Sequence, residues 1–541
     1  MISKPDLKAV MPYTLTRLSR PPGSVMCAAR YLFRRVQAFA LSLILAVGPV
    51  LAPQSQHLLG EAQAQGSSTI LPRIGDPSGS DLSPSNERRI GEAIVRQMTS
   101  QGEVIEDWEI REYFARLAAP LVATDPAQGF VFDFLPIRDM AINAFALPGG
   151  YIGVNAGLLL AAQSESEVAS VLAHEIGHVT QRHMSRMVAK SKQVSVTAIA
   201  GLILAALAAA SNPQAAAGVA LFGDSLAQDQ MLAFSRDAER EADRVGFDML
   251  SQAGFEVGGM LQFFVRLQQA YKLVDVGLPV YVRSHPLTSE RISDVQSRLM
   301  LIRYKQRVDS VDFALVRAKL RALVPKSDNV MRSNPSLLSD EHKRSTLAYF
   351  NRQVGDKDMS QRVESWYGLA LAKRQMEDYV GARAALAQAR KRLPSGHAML
   401  DAEAIQLESS TGQNAQALTL VEAALKQYPA QRHFVHLKAK ALVKSDPEAA
   451  VNFLDDQLKL YRSDKDLWSL LSEVHFSQNR ELLGHRAQAE AYAAHGLWMP
   501  AMEQLRIAQR QVRNDYYNGS QIDSRLKEFE RNYRADQQAK L

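Results

Sequence analysis

The sequence predicts two unlike halves: an α+β domain, mainly helical with a small sheet, followed by an all-α superhelix built from repeats. Three observations carry that reading. A helix-compatible run ends in Ala173-His174-Glu175-Ile176-Gly177-His178, short aromatic-rich runs lie between residues 130 and 155, and one small-residue pattern recurs through the C-terminal half. At 541 residues the chain is long enough for two or three domains, and its 46% hydrophobic and 22% charged residues are those of an ordinary globular protein.

The net charge of +6 looks like a nucleic-acid signal until its location is read. Residues 1–64 hold Lys4, Lys8, Arg17, Arg20, Arg30, Arg34 and Arg35 against Asp6 and Glu61, which leaves the remainder at +1. A nearly neutral body argues against an electrostatic DNA or RNA binder. Cys27 is the only cysteine and falls in the same segment, so disulfides, thiolate metal sites and cysteine nucleophiles are absent from 65–541. Any metal bound there needs histidine and carboxylate ligands.

Within 1–64, Arg30, Arg34 and Arg35 precede an apolar run from Val36 to Ala52, broken by Gly48-Pro49, and a polar stretch ends in Glu61-Ala62-Gln63-Ala64. That order predicts a secretory signal cut after Ala64, at a small-x-small site. The run is too short and too broken for a comfortable membrane span. An uncleaved anchor is the rival reading, and Met26 is an alternative start. Residues 65–80 are rich in Gly, Ser and Pro and read as a linker.

The first domain is expected over 81–305. Ser83-Pro84 is a helix start, Ser as cap and Pro at the first helical position, and Ile90, Ala93, Ile94 and Met98 follow at helical spacing. A second helix covers Ile105–Val122. Phe130–Leu135, Ile142–Leu147 and Tyr151–Asn155 read as strands, the last two joined by a turn at Pro148-Gly149-Gly150. Asn143–Leu147 is a candidate edge for an extended substrate, or else an internal strand with no such role.

His174 and His178, four apart, share one helical face, so both rings can reach a single ion. Zn²⁺ takes such a pair readily, with a third protein ligand and a water completing a catalytic site. Glu175 sits where its carboxylate can take a proton from that water. The best source of the third ligand is Ser235 to Gly246, where Glu239, Ala242, Asp243 and Gly246 share a face whose small residues permit close approach to the helix bearing Gly177. Glu239 can bind the ion there, and Asp243 can accept a hydrogen bond from the far nitrogen of a ligand histidine. Glu241 is expected to point away into solvent, and His183, five residues after His178, to be rotated off the ligand face. The bland alternative is a solvated charged helix. His285, in Ser284-His285-Pro286-Leu287-Thr288-Ser289-Glu290-Arg291, can reach the cleft as a hydrogen-bond donor to the transition state or as an extra ligand in the water position. His285 or Arg291 can help stabilise the oxyanion. Between the two site helices, Val194–Ala210 and Ala215–Phe222 read as a buried or lid-forming hairpin, with peripheral membrane contact as the alternative.

These residues together resemble the gluzincin peptidases related to the CAAX prenyl protease and the heat-shock membrane protease. The motifs that carry the resemblance are His174–His178, Glu239–Asp243, Asn143–Gly150 and His285–Arg291. It implies a zincin-type metalloprotease domain, with one zinc held by His174, His178 and Glu239, Glu175 as general base, and His285 gating the metal. Taken with the leader and the helical tail, it implies a periplasmic enzyme of outer-membrane protein quality control. Its expected partners are unfolded or misassembled outer-membrane proteins and the beta-barrel assembly machinery. A chaperone-like scaffold with a latent, His285-gated site is the alternative.

From about 306 to 541 the chain reads as helix after helix. Tyr367, Leu369, Ala370, Ala382, Leu386, Ala389 and Pro394 fit the tetratricopeptide (TPR) pattern, which recurs at Ala417, Val421, Ala424 and Pro429. Worn copies follow at Ala450, Leu454 and Leu458, and at Tyr492, Ala501, Leu505 and Ala508. Small residues at such positions let helices pack closely and stack into a curved surface that docks peptides or partner proteins.

Overall fold

The computed structural model describes residues 83–124, 129–190, 235–272, 280–303, 305–325, 338–512 and 515–539. The expected leader, the linker and the 194–222 hairpin lie outside the described residues. Among the described residues, no helix is long and apolar enough to cross a membrane.

Helix α1 (Pro84–Ser100) starts where Ser83 caps it, the hydroxyl accepting from Asn86 N. Its buried stripe runs through Glu87, Gly91, Ile94 and Met98, while Ala93, one of the helically spaced apolar residues, is exposed. The stripe is set by α1 lying against the Pro148-Gly149 turn, which only Gly91 is small enough to meet. Helix α2 (Trp108–Val122) is capped by Asp107 and buries Ile110, Tyr113, Phe114, Leu117 and Leu121.

Three strands follow: β1 (Asp133–Ile137), β2 (Ala144–Leu147) and β3 (Tyr151–Asn155), in the order β1-β3-β2. β1 runs parallel to β3 from Asp133↔Tyr151, and β2 runs antiparallel to it with Phe145 opposite Gly153. β1 begins at Asp133 rather than Phe130 because its partner strand starts only at Tyr151, once the turn is complete. Gly149 and Gly150 make that turn at φ +77° and +87°, conformations that L side chains rarely adopt. β2 is one of the two edge strands of the sheet.

After the short α3 (Ala156–Ala161), helix α4 (Glu165–Thr180) forms the centre of the domain. It is buried around nearly its whole circumference, polar faces included: all its residues but Val179 are buried. Helix α5 (His183–Lys190) follows after a break. Helix α6 (Arg236–Gln252), capped by Ser235, crosses α4 at a seam of small residues: Gly177 lies against Ala242, and Gly246 against Ala173. Helices α7 (Gly258–Lys272), α8 (Val280–Ser284) and α9 (Ser289–Leu299) close the domain.

The C-terminal half begins with α10 (Val311–Leu323) and α11 (Asp340–Gly355). The array proper is α12 (Val363–Gln375), α13 (Tyr379–Arg392), α14 (Ala398–Ser410), α15 (Asn414–Gln427), α16 (Arg432–Ser445), α17 (Pro447–Leu460), α18 (Lys465–Ser477), α19 (Glu481–Ala494), α20 (Trp498–Gln511) and α21 (Tyr516–Ala539), each packing on the next. The pattern positions Ala382, Leu386, Ala389, Ala417, Val421, Ala424, Ala450, Leu454, Leu458, Ala501, Leu505 and Ala508 are all buried, so the sequence repeat is the contact surface between helices. This is an all-α TPR superhelix.

The array folds back onto the first domain. Buried Lys319 of α10 lies 2.7 Å from Asp107 and also pairs with Glu109. The Trp108 ring stacks on His436 at 4.7 Å, and His433 Nδ1 lies 2.9 Å from Glu112. At the far end Arg89 donates to the Ala535 carbonyl at 2.7 Å.

Candidate active site

Helix α4 presents His174 and His178 on one face, and their Nε2 atoms lie 3.0 Å apart. Helix α6 brings Glu239 across the seam, with carboxylate oxygens 3.4 Å from each of those nitrogens. His285, just after α8, points its Nδ1 to within 3.0 Å of Glu239 Oε1 and 3.3 Å of His174 Nε2. The four donor atoms all lie within 4.8 Å of one another, and every one of these side chains is buried. A tetrahedral zinc ion with ligands near 2.0–2.1 Å would hold its donors about 3.3 Å apart, close to this spacing. A donor set of imidazoles and one carboxylate suits that ion.

Glu175 is fully buried; His285 Nε2 lies 3.5 Å from its Oε1, but among the described residues neither carboxylate oxygen accepts a hydrogen bond. Leaving such a group unsatisfied costs about 1–3 kcal/mol. A polar guest in the cleft, beside the converging donors, would remove that cost.

The outer contacts are equally specific. Asp243 Oδ1 lies 2.9 Å from His174 Nδ1, close but off the line of a well-aligned hydrogen bond. Arg291 grips Asp243 with two parallel donors, Nε and Nη2, at 2.6 and 2.7 Å. Its Nη1 lies 2.7 Å from Glu239 Oε2 and donates to the Pro286 carbonyl at 3.0 Å. These contacts turn Nε, Nη1 and Nη2 toward the two carboxylates and the loop, where the expectation aimed Arg291 at an oxyanion. Tyr281 stacks on His285 with ring centroids 4.7 Å apart.

Two further corrections concern residues set aside on helical geometry. His183 Nδ1 lies 2.8 Å from His178 Nδ1, and its Nε2 lies 3.1 Å from Glu241 Oε2. Glu241 is half-buried and also accepts from Arg186 Nη2 at 2.8 Å. The helix does not continue as assumed. Arg182 adopts φ +52°, so the chain turns between α4 and α5 and swings His183 back beneath His178. No glycine or proline marks that turn in the sequence.

The electrostatics divide the two α4 histidines. Burial disfavours the charged form of both, yet Asp243 and Glu239 hold the His174 imidazole up at about 9. Burial pushes His178 well below its usual value, assisted by the neighbouring His174. Burial would raise the Glu239 carboxyl, but His285, Arg291 and the two α4 histidines hold it well below the usual range.

The profile described as peptidase family M48 matches residues 105–299, which contain the whole cluster. A Vibrio cholerae chain that bears the beta-barrel assembly-enhancing protease name is 35% identical over 63% of this chain and 67% of its own length. The chain belongs to peptidase family M48. It is a metalloendopeptidase. Beta-barrel assembly-enhancing proteases of Yersinia pestis and Escherichia coli K12 are each 28% identical, over 91% and 85% of this chain and 97% and 91% of theirs. These M48 relatives therefore match the repeat array as well as the catalytic domain. Yeast Tom70 aligns over 68% of this chain and 89% of its own at 10% identity, with a TM-score of 0.26, too loose a likeness to bear on this fold.

Proposed function

We propose that this chain is an exported zinc endopeptidase of the periplasm that degrades outer-membrane proteins stalled or misfolded before assembly. One observation carries the chemistry: His174, His178 and Glu239 converge, and the carboxylate of Glu175 is buried beside them, 3.5 Å from His285 Nε2 and accepting no hydrogen bond among the described residues. A bound zinc ion would supply Lewis acidity, making water acidic and a peptide carbonyl electrophilic. Glu175 takes the proton from the attacking water and delivers it to the leaving amine. Asp243 orients His174, and Arg291 keeps Glu239 and Asp243 ionised. The edge strand β2 lies alongside α4 and offers backbone donors and acceptors to an extended substrate.

The names of the relatives support outer-membrane assembly as the setting, and the signal-like order of residues 1–64 supports export. The repeat array is the docking half, for unfolded substrates and for the beta-barrel assembly machinery. A second reading, a chaperone-like scaffold with a latent peptidase, is favoured by the position of His285: its Nδ1 joins the other three donors, so it can cap the ion in the resting state.

The test uses the full chain with Glu175→Gln and His285→Ala, an unfolded outer-membrane protein as substrate, and zinc analysis of each. The expected result is about one zinc per chain in the wild type and Glu175→Gln, with cleavage lost only in the latter. Faster cleavage by His285→Ala would make the resting site a capped one. Cleavage that survives Glu175→Gln would overturn the mechanism.

A further inference from the structure

We propose that His183 and Glu241 form a relay that fixes the tautomer of His178 and strengthens it as a metal ligand. The inference rests on the reading of His174, His178 and Glu239 as the metal site. His178 can offer its Nε2 lone pair to an ion only if its ring proton sits on Nδ1. That Nδ1 faces another imidazole nitrogen, His183 Nδ1, at 2.8 Å. Of two facing nitrogens one donates and the other accepts, so His183 presents a lone pair at Nδ1 and carries its own proton on Nε2. There the acceptor is already in place, Glu241 Oε2 at 3.1 Å, itself held by Arg186. This proton arrangement keeps a lone pair on His178 Nε2, the atom that faces Glu239 and His174, while satisfying both contacts.

The second α4 ligand is backed differently. His174 faces the carboxylate of Asp243 directly, whereas His178 reaches the carboxylate of Glu241 through an interposed ring. A carboxylate behind a ligand histidine orients the ring and raises its basicity, and an imidazole in between transmits the same bias over a longer reach. Deep burial makes such bias matter, because His178 is surrounded by protein and water cannot orient it.

The turn that creates the relay is itself anchored. Arg182, at φ +52°, donates to buried Glu87 Oε1 of α1 at 3.0 Å, and Ser185 Oγ donates to the same oxygen. A non-glycine residue in that conformation costs of order 1–3 kcal/mol and persists only where surrounding contacts hold it. Glu87 supplies such contacts, from nearly a hundred residues upstream. A conformation maintained at that cost places His183, and His183 touches a ligand.

The experiment measures zinc affinity of the full chain by competition with a chromophoric chelator, and the visible spectrum of the Co²⁺-substituted chain. Three variants grade the relay. His183→Ala removes it, His183→Asn keeps an acceptor near Nδ1 but breaks the link to Glu241, and Glu241→Gln keeps a hydrogen bond but removes the charge. The expected losses in zinc affinity are about 10- to 100-fold for His183→Ala and smaller for the other two, with shifted Co²⁺ bands and unchanged melting of the metal-stripped chain. Glu241→Gln, at a half-buried position, keeps the test informative where His183→Ala fails to fold. Variants that bind zinc as tightly as the wild type overturn the relay, and so do losses that merely track melting of the stripped chain. A wild type that binds no zinc overturns the metal reading itself, a separable outcome.

Discussion

Replacing Gly246 with alanine tests whether the seam between α4 and α6 sets the metal geometry. A Cβ at Gly246 falls 3.0 Å from both the Ala173 carbonyl carbon and the His174 nitrogen, whereas ordinary contact begins at 3.4 Å. The neighbour is helix backbone, and α4 is buried on nearly every side, so the relief falls on α6 as a shift of about 0.4 Å or more. Glu239 rides on the same helix, about two turns or 10 Å away. Ligand distances tolerate only about 0.2 Å. The shift is therefore large enough to loosen Glu239 from the histidine pair, and zinc affinity should fall at least tenfold. Alanine in mid-helix would by itself stabilise by about 0.8–1.0 kcal/mol, but overpacking costs about 1–3 kcal/mol. The overpacking term is the larger, so melting should move down, and Gly246→Val should exaggerate both effects. Chelator competition and thermal melting of the full chain, with and without zinc, read the two quantities. A Gly246→Ala chain that melts higher and binds zinc as tightly as its parent would refute the reasoning, because the seam would then have slack.

Two further outcomes follow from the electrostatics. In the metal-stripped chain His174 is held up at about 9, above its ordinary value of 6.5, so the proton it carries stabilises the fold fully below pH 6.5, and that contribution disappears as pH rises through 9. Zinc must displace that proton, so its apparent affinity should tighten about tenfold per pH unit from 7 to 9 and then level off; a flat profile in isothermal titration over that range would contradict the assignment. Arg291→Met leaves two buried carboxylates without their cation and should cost about 3–5 kcal/mol in denaturant unfolding. A loss confined to kcat, at unchanged stability, would instead return Arg291 to the oxyanion.

Much of the site was legible because its spacing follows helical periodicity. The four-residue step from His174 to His178, and the Glu239, Ala242, Asp243, Gly246 face, both sit on uninterrupted helices, where sequence separation converts directly into direction. The repeat positions were legible for the same reason. His183 and Glu241 were not, because the conversion fails at Arg182: the left-handed turn is imposed by Glu87 from a distant helix rather than by a glycine in place. The contacts of Arg291 were hidden for a related reason. Its spacing from His285 is visible in sequence, but whether its donors face substrate or carboxylate depends on Asp243 and Glu239 arriving from another helix. Local periodicity thus brings the candidate ligands to one face, while tertiary contacts decide what stands behind them.

The same division governs how the repeat array is joined to the catalysis. Ser310, which caps α10 through Phe313 N, also donates its hydroxyl to Glu165 at the start of α4, and Asp309 accepts from the Glu165 backbone N–H at 2.8 Å. One short segment therefore ends the first domain, starts the C-terminal half and ties down the metal helix. The tie is at the N-terminal end of α4, about 14 Å along the axis from His174. The ligand end is held by other elements: α6 across the small-residue seam, and the turned α5 beneath His178. A rearrangement of the array can thus load α4 at Glu165 without breaking contacts among His174, His178 and Glu239. His285 stands on a different footing, since it enters from the loop after α8, outside both seams. Its ring is stacked on Tyr281 and faces both Glu239 and Glu175, so it is held by the site itself rather than by either helix crossing.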